Sequence, residues 1–117
     1  MAPVHVVNAV IEAFSTGSAR IELFGAGFRV VGPAIGAPLL AFGIPGAHAG
    51  ELAGRGMGLS FDGVTPSDGD HVLVWGTWSG EDHDEATYHV VLEVQDGQVV
   101  ETRFFDQLEN ARWFAGL

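Results

Sequence analysis

Asp106 has the strongest claim to chemistry in this sequence. It follows Gln98–Phe105 (QVVETRFF), whose period-2 pattern predicts a strand. Alternation sets Val100, Thr102, Phe104 and Asp106 on one face, and leaves Glu101 and Arg103 to pair in solvent on the other. A carboxylate at the apolar mouth of such a face has its pKa raised by desolvation and can serve as acid or base near neutral pH. A structural role competes with this one: Asp106 and Glu109 make a D-x-x-E pattern that can cap a helix starting at Gln107. Tyr88 and His89 come next. They are neighbours on a strand and point to opposite faces, and Tyr88 shares parity with Val90, Leu92 and Val94. Its hydroxyl can donate to a carbonyl or a developing oxyanion. A one-residue difference in the turn would bring His89 inside instead.

Trp75 and Trp78 lie three apart in one strand and so on opposite faces, one toward a cavity and one outward. Aromatic walls of this kind, with Phe104 and Phe28, suit a planar or polycyclic ligand; core or interface packing would use the same residues. Arg55 can hold an anionic or carbonyl group bidentately, or it forms an ion pair among fifteen acids. The run Glu81-Asp82-His83-Asp84-Glu85 lacks the convergent spacing of zinc or calcium ligands and reads as a solvated hairpin loop. The glycines around Gly54, Gly56 and Gly58 follow no strand and lack a later acidic partner, so they make no dinucleotide site. No metal or cofactor is expected.

The elements that must position these residues are legible. Pro3 to Thr16 predicts a helix with Val7, Val10, Ile11 and Phe14 on one face and Gly17 ending it. Ser18 begins a second, very short helix through Phe24, with Ile21 and Phe24 buried. Phe28–Val31 reads as a strand stopped at Gly32-Pro33, and Leu39–Phe42 as a short strand within a Gly/Pro-rich rim loop. Glu51–Phe61 has helix length, but its glycines each cost about 1 kcal/mol, so any helix is short. Asp62–Asp70 reads as a polar turn region. His71–Ser79 predicts a strand, and the strand from Ala86 returns against it. Asp96-Gly97 signals a tight hairpin into Gln98–Phe105.

Composition excludes several functions. The chain has 117 residues, which fits one domain (1–117) of α+β class, with a curved, mostly antiparallel sheet around N-terminal helices and a short C-terminal helix. Five arginines, no lysine and fifteen acids give a net charge of −10. Such a chain has no basic stripe for nucleic acid and no attraction to an anionic membrane. Lysine Schiff-base and cysteine chemistry are absent with their residues. No apolar run reaches a membrane span, and no signal peptide is evident, so a cytoplasmic protein is expected. At 47% apolar residues, an apolar cavity, a homodimer interface or both are expected.

Pro45-Gly46, Gly50, Gly54-Arg55, Gly69-Asp70 with Val72, and Asp96-Gly97 with Val99-Val100-Glu101 and Phe104-Phe105-Asp106-Gln107-Leu108 occur in a characteristic order. In that order and spacing the chain resembles the SnoaL-like branch of the nuclear-transport-factor-2-like superfamily over nearly its whole length. The resemblance implies a cone enclosing an apolar pocket, with His48 and Arg55 flanking a rim loop. It implies dimerisation through the outer face of the sheet. Relatives include polyketide cyclases, steroid isomerases, limonene-type epoxide hydrolases, dehydratases and members that only bind. The expected function is therefore a cofactor-independent acid–base enzyme on a small apolar oxygenated metabolite, or a non-catalytic binding or dimerisation module of the same fold. Two departures stand out. The second and third helices are short, and the steroid-isomerase base position, just before a proline after the first long strand, is Gly32-Pro33.

Overall fold

The computed structural model describes residues 2–18, 20–32, 49–54, 56–80 and 83–117. Helix α1 spans Pro3–Thr16, and Gly17 closes it in the left-handed conformation with its N–H on the Ala13 carbonyl. Its buried face is Val6, Val7, Val10, Ala13 and Phe14, with Ile11 at the margin. The expected second helix is a single 3₁₀ turn, Ile21–Leu23, and Ile21 is exposed. The chain is already extended at Phe24, where β1 (Phe24–Val31) begins. Gly25 and Gly27 weaken any helix there, and the Gln98 side-chain amide donates to the Glu22 and Phe24 carbonyls, tying the segment to the sheet.

A short helix α2 (Ala49–Ala53) precedes β2 (Gly58–Leu59), β3 (Gly63–Pro66), β4 (His71–Gly80), β5 (His83–Gln95) and β6 (Gln98–Phe105). Helix α3 (Leu108–Ala115) follows. β3 corrects the reading of 62–70 as turn. Gly63-Val64-Thr65-Pro66 pairs with β4 from Trp75 to Val72, and Pro66 is tolerated because it ends a short strand at the sheet margin. The expected strand Leu39–Phe42 lies outside the described residues.

The sheet order is β1-β6-β5-β4-β2, with β3 also on β4, and the sheet curls strongly into a half-barrel. All pairs are antiparallel except β1–β6, which is parallel. Asp96 and Gly97, both at positive φ, make the two-residue turn between β5 and β6. The β5–β6 register jumps from Glu93↔Glu101 to Val94↔Val99, so β6 carries one extra residue at Val100.

The two faces bury different things. The inner face (Val72, Val74, Tyr88, Val90, Leu92, Val94, Val99 and Phe104) packs on α1 through Val6, Val7, Val10 and Phe14. The outer face is covered by α3, where Ala111 and Ala115 meet Leu73 and Val91, flanked by Trp75, Phe105 and Phe114. A charged row crosses that face as His71↔Glu93↔Glu101↔Arg29. Glu101 was expected in solvent but is only 3% exposed. Arg29 donates to it at 3.2 Å and Arg103 at 3.0 and 3.3 Å, while the Arg103 guanidinium also sits 4.8 Å from the Phe114 ring centre.

Candidate ligand site at the open end of the sheet

β1 and β6 run parallel and finish together, whereas β4 and β5 continue beyond them. Near this end lie Tyr88, Trp78, Phe104 and Asp106. Gly32 lies against Phe104 there: a Cβ on Gly32 would sit 2.8 Å from the Phe104 carbonyl oxygen, and its φ is +143°. Glycine alone fits that backbone and that contact. The steroid-isomerase base position is therefore closed to any side chain.

Tyr88 faces inward, as the parity of β5 predicts, and is 2% exposed. Its hydroxyl donates to the Ser60 carbonyl oxygen at 2.6 Å. Burial, with a smaller contribution from the Asp62 charge, pushes its pKa far above the ordinary tyrosine value of 10.0. The phenol is neutral and its one proton is committed inside the protein. The role of oxyanion donor does not fit this geometry. Gly76 makes the bond possible, because a Cβ there would strike the Ser60 carbonyl.

Ser60 also anchors the rim. Its N–H donates to the Thr77 carbonyl at 2.8 Å, and its Oγ accepts from the Thr77 N–H at 2.9 Å. The Ser60 and Thr77 hydroxyls are 2.9 Å apart, and Ser60 Oγ is 3.3 Å from Asp62 Oδ1. Beyond them, Leu59, Ser60, Thr77, Trp78, Ser79 and Glu85 line a pocket of about 200 Å³. Trp78 packs on the inner cluster and Trp75 on the outer one, which settles their opposite facing.

Asp106 lies just past β6 and is exposed. The paired register of β6 ends at Phe105, opposite His89, and Asp106 is the residue that follows it. Asp106 is not the cap that the D-x-x-E pattern suggests: α3 begins at Leu108, and its N-cap, Gln107, makes no side-chain cap hydrogen bond. His89 stands on the outer face between Trp75 and Phe105, its Nδ1 buried without a hydrogen-bond partner. Phe104 is buried in the inner core and Phe28 stacks edge-on against Phe24 at its margin. His48 and Arg55 lie outside the described residues. Sequence reasoning missed Ser60, whose importance comes from its backbone carbonyl, a group that carries no residue-type signal. Among the described residues, no three His, Cys, Asp or Glu side chains gather where a metal could sit, and no helix is long and apolar enough to cross a membrane.

The fold so described is shared with solved structures. A cystatin-like-fold protein from Xanthomonas campestris superposes with a TM-score of 0.66 at 20% identity, covering 97% of this chain and 98% of that one. An NTF2-like protein from Burkholderia thailandensis gives 0.62 at 18% identity, over 95% and 97%. A candidate SnoaL-like polyketide cyclase from Jannaschia gives 0.53 at 20% identity, over 96% and 92%. No family model matches the chain, and no curated protein matches it in sequence. The chain thus has the cone-shaped fold of the SnoaL-like and NTF2-like proteins. At these identities the likeness speaks for fold alone.

Proposed function

We propose that the protein binds a small apolar, oxygen-bearing molecule at the open end of the cone. The observation that carries this reading is the division of the site. Leu59 and Trp78, which pack on the inner cluster, give it an apolar side, while Ser60, Thr77, Ser79 and Glu85 concentrate hydrogen-bonding groups in one rim pocket. An apolar wall with a few convergent polar groups is the usual make-up of a small-molecule site. A thermal-shift panel tests it, since a ligand that binds only the native state raises the melting temperature by mass action. Terpenoid, steroid or polyketide-like compounds should stabilise the protein, and Ser79→Leu, which fills the rim pocket, should abolish the shift. Stabilisation by polyanions alone would sink the reading.

A second reading, acid–base turnover of the same ligand by Asp106, is favoured by its place directly after the end of β6, whose last paired residue, Phe105, faces His89. Here the carboxylate moves the proton. Polarising the ligand's oxygen falls to the rim hydroxyls, because Tyr88 is engaged. Asp106→Asn should leave the melting temperature unchanged and lower turnover about 10²–10⁴-fold. Full activity in that variant would leave binding as the whole function.

A further inference from the structure

We propose that the cleft between α3 and β3 is a second small-molecule site, which takes an aromatic carboxylate. Thr65, Leu73, Trp75, Leu108, Arg112 and Leu117 line this cleft, whose volume is about 280 Å³. Local features of the chain shape it. Thr65 and Leu73 are directly paired across β3 and β4, and Leu73 is buried, so it forms the floor. Gly63 leaves the space that the Trp75 indole occupies over β3, since a Cβ there would strike the ring. Gly116 ends α3 in the left-handed conformation and turns the chain back, so that the Leu117 N–H donates to the Arg112 carbonyl at 2.8 Å. That turn sets Leu117 at one lip of the cleft, with Leu108 from the start of α3 also lining it.

The charge left over in the cleft identifies the occupant. The chain has fifteen acids for five arginines, and Arg20, Arg29 and Arg103 each hold a carboxylate. Arg112 holds none among the described residues, although Glu109 stands one turn before it on the same helix. The Thr65 hydroxyl likewise makes no hydrogen bond among the described residues. Two unspent polar groups thus share an otherwise apolar cleft, the usual make-up of a site for a small molecule. An amine would be repelled by the guanidinium. A polyanion would meet a chain of net charge −10 and leave the Trp75 and leucine walls unused. An aromatic carboxylate uses the whole lining: its ring lies against Trp75 and Leu73, and Arg112 grips the carboxylate with two parallel hydrogen bonds. The Thr65 hydroxyl can donate a third. The site is separate from the rim pocket, because β4 sends Trp75 to the outer cluster and Trp78 to the inner one, and the two linings share no residue.

Isothermal titration calorimetry of the full chain with naphthoate and with the neutral naphthamide tests this. Naphthoate should bind saturably, one per chain, and roughly tenfold or more tightly than naphthamide, which lacks the charge that Arg112 reads. Arg112→Gln should remove that advantage and leave naphthamide binding unchanged. Thr65→Phe, which fills the cleft from β3, should abolish binding of both, with unchanged far-ultraviolet circular dichroism. Arg112 is exposed on its helix, so the Gln variant carries the test if the Phe variant does not fold. Ser79→Leu, which fills the rim pocket, should bind naphthoate as the wild type does. No saturable binding of naphthoate, equal binding of acid and amide, or undiminished naphthoate affinity in Arg112→Gln would each overturn the proposal. So would binding that survives Thr65→Phe or is lost in Ser79→Leu, because the acid would then sit elsewhere.

Discussion

Tyr88 offers an unusually clean test of the site's electrostatics. It is the only tyrosine, and the chain has no lysine or cysteine. Between pH 9.5 and 11.5, roughly, no other side chain should titrate, since arginine stays protonated up to about pH 12. Burial and the Asp62 charge hold the native phenol neutral well above its ordinary value. Its pKa is raised on folding, so its contribution to stability is complete below the unfolded pKa of about 10 and is lost as pH rises toward the native one. In that window the unfolded chain releases a proton that the native chain keeps. Unfolding free energy should fall by about 1.4 kcal/mol per pH unit, or about 2 kcal/mol by pH 11.5. Two measurements read this. Tyrosinate absorbance should stay absent in the folded protein at pH 10–11 and appear on adding denaturant, and denaturant melts followed by tryptophan fluorescence should give the slope. Tyr88→Phe should abolish the alkaline slope. At neutral pH it should also cost about 1–3 kcal/mol, because the Ser60 carbonyl loses its 2.6 Å donor in a buried setting. A tyrosinate midpoint near 10 in the native protein, or an unchanged slope in the Phe variant, would refute the buried, committed hydroxyl.

Gly32→Asp, which restores a carboxylate at the steroid-isomerase position, should confer no isomerase activity and cost at least about 1–3 kcal/mol, read by chemical denaturation, because φ +143° and the Phe104 carbonyl leave no room. Glu101→Gln should destabilise by about 1.5–3 kcal/mol through loss of charge-assisted bonds to Arg103 and Arg29. For Glu101, burial raises the pKa but the hydrogen bonds and charges of Arg103 and Arg29 outweigh it, so the net shift is downward. The carboxylate's contribution is therefore present above about pH 4.5 and lost as pH falls through the native value; acid titration of the Gln variant should lack that limb.

The elements with local signals were readable from sequence. The Pro-to-Gly frame of α1, the Asp96-Gly97 hairpin and the run Gln98–Phe105 sit where residue type alone puts them. What failed was the exposure of the outer face, and parity at one bulge. Strict alternation sent Glu101 to solvent, but the outer face at that point is covered, and Arg29 arrives from a strand far away in sequence to satisfy the carboxylate. The extra residue at Val100 also turns Val99 inward, which no local pattern announces. Asp106 misled for a related reason: a D-x-x-E spacing describes a cap only if the helix begins one residue after the aspartate, and here it begins two after. Ser60 was invisible because its carbonyl, not its side chain, receives the Tyr88 proton.

The parallel seam between β1 and β6 has a consequence for the order of folding. β4, β5 and β6 are linked by short connections, and α3 follows at once, so their contacts close small loops. β1 joins only by bringing together residues such as Arg29 and Glu101, 72 positions apart. Closing a long loop is entropically slow, and contacts of high sequence separation tend to form after local ones. The β4–β5–β6 meander and α3 should assemble first, with β1 docking last onto the exposed edge of β6. Pulse-labelled hydrogen exchange should then find β5 amides protected before those of Arg29 to Val31. The open end of the cone, completed only when Gly32 meets Phe104, would be the last part of the molecule to take shape.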